Sequence, residues 1–380
     1  MQKRIRIISF SIVLVILLIG IIIMNNNSNN KYSFTQDGIK YAITLDGNEI
    51  TSFPSKGMYK VQVACDGADG SWLYDDWKLV IENMTSDNVT CDINFNTITK
   101  TNLNDYIISL AGTTQGTGQV VNENGYRYEG KNPNNYIWFN NEYWRIIGVF
   151  DSASHGQDNK NLVKIIRADM LDGLAWDKSM TNDWTSASLN SLLNGAYYNA
   201  EDGTNSGYCY GYSTKVTTNC DYTKKGIQSG YRGMIANVTW YLGGYSSNDA
   251  TTEAFYGYER GTEVYSGRPT STTGYIGLMY PSDYGYSVLA SSCVRTTNLD
   301  SYSSATCAGQ SWLYGKGYEW TLTSLSSISF YVFNLYGAGN LSSYNAYDGD
   351  GSRPVLYLDA SVYKIDGDGS MNSPYIVGMW

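Results

Sequence analysis

Residues 136–150 read YIWFNNEYWRIIGVF, and this stretch decides how the larger part of the chain folds. Tyr136 to Phe139 and Tyr143 to Phe150 are runs of aromatic and β-branched residues, the types that suit a pleated, half-buried surface. Asn140-Asn141 between them tolerates the left-handed backbone of a tight turn. The stretch therefore predicts a β-hairpin, with Leu162 to Arg167 as the next strand. Further along, Leu189, Leu192 and Leu193 share one helical face, with Thr185 or Ser186 as cap and Gly195 as stop. Met234, Val238, Tyr241 and Leu242 repeat that spacing before Gly243 and predict a second helix. Residues 244–317 are rich in Gly, Tyr, Ser and Thr and carry few regular signals, after which short strands are expected at 319–323, 330–335 and 354–358.

Upstream the period is two. Ile39, Tyr41, Ile43 and Leu45 share a face, Asp46-Gly47 makes a turn, and Tyr59/Val61/Val63, Trp77/Leu79/Ile81 and Val89/Cys91/Ile93/Phe95 repeat the alternation. This predicts a small β-sandwich over 34–97. Leu103, Tyr106, Ile107 and Leu110 then predict a short helix closed at Gly112, and Thr113 to Gly118 reads as a linker, so that 98–124 is helix and connection. The larger domain is expected over 125–362, and 363–380 is expected to be a C-terminal tail with a β-turn.

At the other end, residues 7–24 read IISFSIVLVILLIGIIIM, about the length that crosses a bilayer as helix. Lys3, Arg4 and Arg6 precede it and place the N-terminus inside. A cleaved signal peptide is the competing reading, but its apolar core would be shorter and would end in small residues, whereas this run ends in Met24 and a polar tether, 25–33. A single-pass signal anchor with an extracellular ectodomain is the expectation. The formal charge is −9 overall and −12 for residues 25–380, which argues against a nucleic-acid partner. Cys65 and Cys91, Cys209 and Cys220, and Cys293 and Cys307 form three local couples, an even count that suits disulfides in an oxidising compartment. Sequence leaves their connectivity open, and local pairing is the preference.

Several ordered stretches resemble a family of bacterial cell-surface proteins. They are Tyr143-Trp-Arg-Ile-Ile-Gly148, Asn182-Asp183-Trp184 leading into Leu189-x-x-Leu192-Leu193-Asn194, Tyr258-Glu-Arg-Gly261, Gly277-Leu-Met-Tyr-Pro-Ser-Asp-Tyr-Gly-Tyr286, Glu319-Trp-Thr-Leu322 and Ser352-Arg-Pro-Val-Leu-Tyr-Leu358. The resemblance covers about 125–360, and residues 34–96 look like the small β domain that precedes it in that family. It implies an α+β, C-type-lectin-like and sulfatase-modifying-factor-like large domain with two helices, a short sheet and long disulfide-braced loops. The lectin calcium motifs are out of place: Asn132-Pro133-Asn134 precedes the first strand, and Asn182-Asp183-Trp184 precedes the first helix. Nothing marks Cys293 and Cys307 as an oxidase pair.

Local chemistry is sparse. The one histidine, His155, sits in a polar Ser-His-Gly-Gln-Asp turn, so a His-based triad has a single place to form. Asp348-Gly-Asp-Gly and Asp366-Gly-Asp-Gly-Ser offer oxygens, but an EF-hand register from Asp366 puts Met371 at the required glycine and Val377 at the required glutamate, so both read as glycine turns. No metal, cofactor or catalytic residue is expected, and no nucleophile-elbow, phosphate-loop or zinc-protease motif occurs. The 35 Tyr, with Gly, Ser and Asn, match the composition of adaptable recognition loops. Tyr258, Glu259, Asp283, Tyr284, Trp312, Tyr318 and Asp348 are accordingly the candidate ligand-binding residues, on a face formed by about 244–318 and 337–352. The expected function is a membrane-anchored extracellular recognition or adhesion module that binds carbohydrate or protein. Two alternatives stand beside it: a structural cell-envelope protein without a dedicated ligand and, with less support, an extracellular enzyme of the sulfatase-modifying type.

Overall fold

Asn140 and Asn141 both adopt left-handed backbone, with φ of 57° and 59°, and turn the chain between the strands Tyr136–Phe139 and Glu142–Phe150. In this computed structural model, residues 6–8, 34–36, 39–57, 59–74, 76–97, 101–217, 219–315 and 317–379 are described, and the chain divides into units Met1–Lys100 and Thr101–Trp380. Glu142–Phe150 is the central strand of the larger unit. One edge pairs with Tyr136–Phe139 and then with Tyr126–Asn132; the other edge pairs with Leu162–Arg167, with a shift in register between Ile146 and Gly148. The sheet continues through Val355–Leu358 to Ile276–Gly277 on one side. On the hairpin side, Tyr375–Gly378 pairs in parallel with Tyr136–Phe139, and Tyr363–Asp366 follows. Residues 363–380 thus supply two strands rather than a tail. The expected linker 113–118 likewise pairs into the sheet. Gly118 is required there, because a Cβ at that position would lie 2.1 Å from the Glu129 carbonyl oxygen.

A second sheet runs Leu171–Ala175, Gly349–Ser352, Glu319–Ser324, Tyr331–Leu335, Leu341–Asn345. Two reciprocal indole bonds tie its strands together: Trp176 Nε1 donates to Thr321 O at 3.1 Å, and Trp320 Nε1 donates to Leu174 O at 2.8 Å. Trp144, Trp240 and both of these rings are fully buried in one continuous core.

The fold is mostly β, with 40% of residues in strands and 15% in helices. This corrects the expected α+β, C-type-lectin-like architecture built on two helices. The second expected helix is the main error. Val238–Tyr241 is a strand paired antiparallel with Ser271–Gly274, and Val238 and Trp240 are buried while Thr239 and Tyr241 are half-buried. Four apolar residues at helical spacing fit a helix, but Val-Thr-Trp-Tyr at 238–241 consists of β-branched and aromatic residues whose partner strand lies some thirty positions away. The first expected helix forms as Ser188–Leu192 and then widens over Leu193–Tyr197, passing through Gly195. Neither Thr185 nor Ser186 caps it. Asp177 does so from outside, its carboxylate accepting from Ser188 N at 3.0 Å. The supposedly irregular 244–317 region holds the helices Thr252–Glu259, capped by the Thr251 hydroxyl, and Pro281–Tyr286.

In the smaller unit, Ile39–Leu45 lies parallel to Val89–Thr97, which pairs antiparallel with Tyr59–Asp66, and Asp69–Leu73 pairs with Lys78–Glu82 in a second sheet. Side chains from both sheets, Ile39, Ile43, Ile93, Phe95, Trp72 and Leu79 among them, share one core. Asp46-Gly47 turns with φ of 50° and 82°. The expected membrane-crossing helix is corrected at its start, because Arg6–Ile8 form a strand paired with Lys78–Glu82. The rest of that apolar run and the tether, 9–33, lie outside the described residues. Among the described residues no helix is long and apolar enough to cross a membrane.

All three cysteine couples are disulfides: Cys65–Cys91, Cys209–Cys220 and Cys293–Cys307. Cys65 and Cys91 lie directly opposite each other on neighbouring strands. Deeper in the large unit, Asp283 is 2% exposed and holds two buried cations. Its Oδ1 accepts from Arg127 Nη1 at 3.0 Å, and its Oδ2 accepts from Lys164 Nζ at 2.5 Å and from Tyr280 N at 3.0 Å. Burial alone would raise this carboxyl, but Lys164 and Arg127 more than offset it and hold it below the usual range. Burial pushes the Lys164 amine down to about 8 against the pull of Asp283.

Two outcomes follow for stability. Cys65→Ser should cost the small unit about 2–4 kcal/mol in denaturant melts, while the large unit, braced by its own two bridges, keeps its midpoint. Asp283→Asn leaves Lys164 and Arg127 as uncompensated buried charges and should cost the large unit about 3–5 kcal/mol. A loss near zero in the same melts would show that the two cations reach water without it.

Candidate functional site

Strand alternation sorts the hairpin into two faces. Ile137, Phe139, Trp144 and Ile146 point into the core and are fully buried. The pairs Tyr136↔Arg145 and Trp138↔Tyr143 put those four side chains together on the opposite face. They form a row: Trp138 and Tyr143 meet edge-to-face at 5.1 Å, Tyr143 and Tyr136 at 5.9 Å, and the Arg145 guanidinium lies 4.1 Å from the Tyr136 ring centre. On its other side Arg145 lies 4.7 Å from the Trp312 ring centre.

The row ends in a cleft of about 310 Å³ lined by Tyr136, Tyr143, Arg145, Asp169, Trp312, Arg353 and Met371, with Ala168 and Gly315 completing the wall. Arg353 and Pro354 link the second-sheet strand Gly349–Ser352 to the main-sheet strand Val355–Leu358, so the cleft opens where the chain passes from one sheet to the other. Arg353 is fixed by Glu319, which accepts from Nε at 2.6 Å and from Nη2 at 2.8 Å, and by the Leu313 carbonyl. Arg145 is fixed differently. Its Nε donates to Asn135 Oδ1 at 2.7 Å and its Nη2 to Pro133 O at 3.3 Å, and among the described residues it pairs with no acid. In neither arginine does Nη1 make a hydrogen bond within the described chain. Burial lowers Arg145 to about 10, with repulsion from Arg353 adding to the fall. It remains a full cation at neutral pH. The site therefore offers two free N–H edges, one uncompensated positive charge and a flanking set of aromatic rings.

Of the seven candidate residues, only Trp312 lines this cleft, and it is nearly buried, with its Nε1 donating to Tyr128 O at 2.6 Å. Asp283 belongs to the core triad. Glu259 is also fully buried, accepting from Ser282 N at 2.8 Å, and burial raises its carboxyl to about 7. Tyr284 is buried with its hydroxyl donating to Gly339 O at 2.6 Å. Tyr258 stacks on Tyr245 at 4.2 Å, and Asp348 accepts from Asn345 Nδ2 at 3.2 Å. Tyr318 alone is well exposed, at 46%, edge-on to Tyr336. These residues do not converge, because the segment that carries most of them folds into helices and strands that face the core.

The remaining motifs have structural partners. His155 is buried; Nε2 faces the Phe150 carbonyl at 3.1 Å and Nδ1 accepts from Gln157 N, which makes Nε2 the protonated nitrogen. Asn182 Nδ2 is shared among the carbonyls of Leu325, Ile328 and Tyr331. Among the described residues no group of three or more His, Cys, Asp or Glu is placed to hold a metal ion.

Sequence reasoning missed Arg145 and Arg353; the signal that marks them is that each is an arginine within an otherwise apolar or proline-flanked stretch. Their meeting across 208 positions has no such signal. No family model, curated protein or solved structure matches the chain.

Glu319→Gln should test how firmly Arg353 is held. Breaking one half of a buried pair costs about 3–5 kcal/mol, so the large-unit midpoint should fall by that order. A loss below about 1 kcal/mol, the scale of an exposed pair, would mean that Arg353 swings to solvent and that the cleft has no fixed second donor.

Proposed function

We propose that this protein is an extracellular recognition module whose large unit takes an anionic group of a ligand into the Arg145–Arg353 cleft. The observation that carries the reading is the pair of unpartnered Nη1 edges beside an arginine with no acidic counter-ion. An arginine kept nearly buried without an acid is electrostatically incomplete, and an incoming anion supplies what is missing.

Magnitudes are consistent with recognition. Two charge-assisted hydrogen bonds contribute about 1.5–3 kcal/mol each, and association costs at least about 4 kcal/mol. A small anion alone should bind weakly, with the rest of the affinity coming from the aromatic row. The polar groups of the cleft are mainly donors, Asp169 being its one carboxylate, which favours binding over acid–base chemistry. The paired disulfides and the acidic ectodomain accord with an extracellular setting.

Met371 allows a test that leaves the fold alone, since it lines the cleft and is 55% exposed. Met371→Glu should weaken, and Met371→Lys strengthen, the binding of benzoate or glucuronate followed by tryptophan fluorescence. A charge about 8 Å away contributes about 0.5–2 kcal/mol, and added salt should shrink both shifts. Equal affinities in the two variants would remove the anion from this cleft.

A further inference from the structure

The chemistry of the cleft and of the hairpin face beside it narrows the ligand class, and this step rests on the anion reading above. We propose that the ligand is an acidic carbohydrate, with the carboxylate of a sugar acid between Arg145 and Arg353 and the adjoining sugar rings lying along Tyr136, Tyr143 and Trp138.

The charge count comes first. Arg353 is already neutralised by Glu319, and Asp169 is exposed at the cleft, so only the charge of Arg145 is open. Asp169 stands in solvent, where its charge is screened, so the one buried cation left without an ion-pair partner is Arg145, and it suits a monoanion. A phosphate monoester carries about −1.5 to −2 and would bring surplus negative charge up against Asp169.

The second argument is the shape of the surface next to the cleft. The ring centres of Tyr136, Tyr143 and Trp138 follow one another at 5.9 and 5.1 Å, and Trp138 is 36% exposed. Successive rings stand nearly perpendicular, at 82° and 88°, so the row leads away from the cleft as alternating faces and edges. Aromatic side chains offer amphipathic faces and edges to the C–H groups of a sugar. Asp169 is the acceptor available to hydroxyl groups near the bound acid.

The third argument separates sugar from peptide. An extended peptide gains most of its affinity by adding a strand to an open sheet edge. Here Tyr136–Phe139 has Glu142–Phe150 on one side and Tyr375–Gly378 on the other, and Glu142–Phe150 is itself paired on both edges. The hairpin therefore has no free backbone ladder beside the cleft, and recognition must use side-chain faces. That is how a saccharide is held.

Calorimetry on the full chain in detergent provides the test, with four probes. They are a galacturonic acid oligomer, the same oligomer after reduction of its carboxyl groups to alcohols, a sulfated galactan oligomer, and a short peptide with a free C-terminal carboxylate. The acidic oligomer should bind best, and its reduced form should lose at least about tenfold, the order of one charge-assisted hydrogen bond. Trp138→Ala should weaken the oligomer roughly tenfold more than it weakens monomeric glucuronate, reporting the lost stacking. If the reduced oligomer binds as well as the acid, this proposal and the anion reading both fall. If the peptide binds while the acidic oligomer does not, the anion reading stands and the sugar assignment is overturned. Preference for the sulfated oligomer would overturn the carboxylate, and an oligomer indifferent to Trp138→Ala would overturn the aromatic row.

Discussion

Asp283, with Lys164 on one oxygen and Arg127 on the other, is the constraint around which the large unit is arranged. It joins the helix Pro281–Tyr286 to the strands Leu162–Arg167 and Tyr126–Asn132, three elements far apart in sequence. The Lys164 amine lies among the rings of Phe150, Trp240, Tyr280 and Tyr357, at 4.4 to 5.8 Å from their centres. A buried ionic cluster of this kind adds little net stability over a packed apolar one, because each charge must first be taken out of water. Its effect is selective: any other register of the helix against the sheet would leave a buried charge alone. Tyr280 extends the same control, its hydroxyl accepting from Tyr241 N and donating to Tyr241 O and so fixing the strand Val238–Tyr241.

With that core held, the two sheets must be joined, and Arg353-Pro354 is where the chain crosses. Proline suits the junction because it removes a backbone donor where one strand has ended and the next has not begun. Glu319 clamps Arg353 from the second sheet, while Arg145 comes from the central strand of the first. The cleft is thus a by-product of joining two sheets. Arg145 is presented by a strand and Arg353 by the short junction between two strands, where Glu319 and the Leu313 carbonyl fix it, so both donors have a defined geometry.

The abundance of tyrosine has two physical outcomes. Many rings pack inside, among them Tyr128, Tyr280, Tyr284 and Tyr375, with hydroxyls that find carbonyls or one another; Tyr128 and Tyr375 oxygens are 3.3 Å apart. Others stand on the surface, as at Tyr212, Tyr318, Tyr336 and Tyr344. Composition alone does not separate these uses, since Tyr is amphipathic and suits both a core with nearby acceptors and an exposed contact face. This is why candidates chosen for being aromatic and near acids, such as Tyr284 beside Asp283, proved to be core, whereas Tyr136, Tyr143 and Arg145 of the cleft came from a hairpin read only for its fold.

What the sequence determined by itself is what nearest neighbours control. The strand alternation of 39–95, the turns at Asp46-Gly47 and Asn140-Asn141, and the hairpin they imply depend on side-chain period and on residues that tolerate positive φ. The local cysteine couples belong to the same class, although proximity in sequence made them only a preference. Tertiary structure decided the rest. Val238–Tyr241 became a strand because Ser271–Gly274 was there to pair with it, and four apolar positions carry too little periodicity to announce a distant partner. Asp283 became a core anion because Arg127 and Lys164 arrived from other strands; alone, an aspartate in a Gly/Tyr-rich stretch reads as surface. Arg145 and Arg353 share one cleft because two sheets meet there, and no local property of either segment encodes that meeting, since strand pairing acts between positions that the chain itself keeps apart.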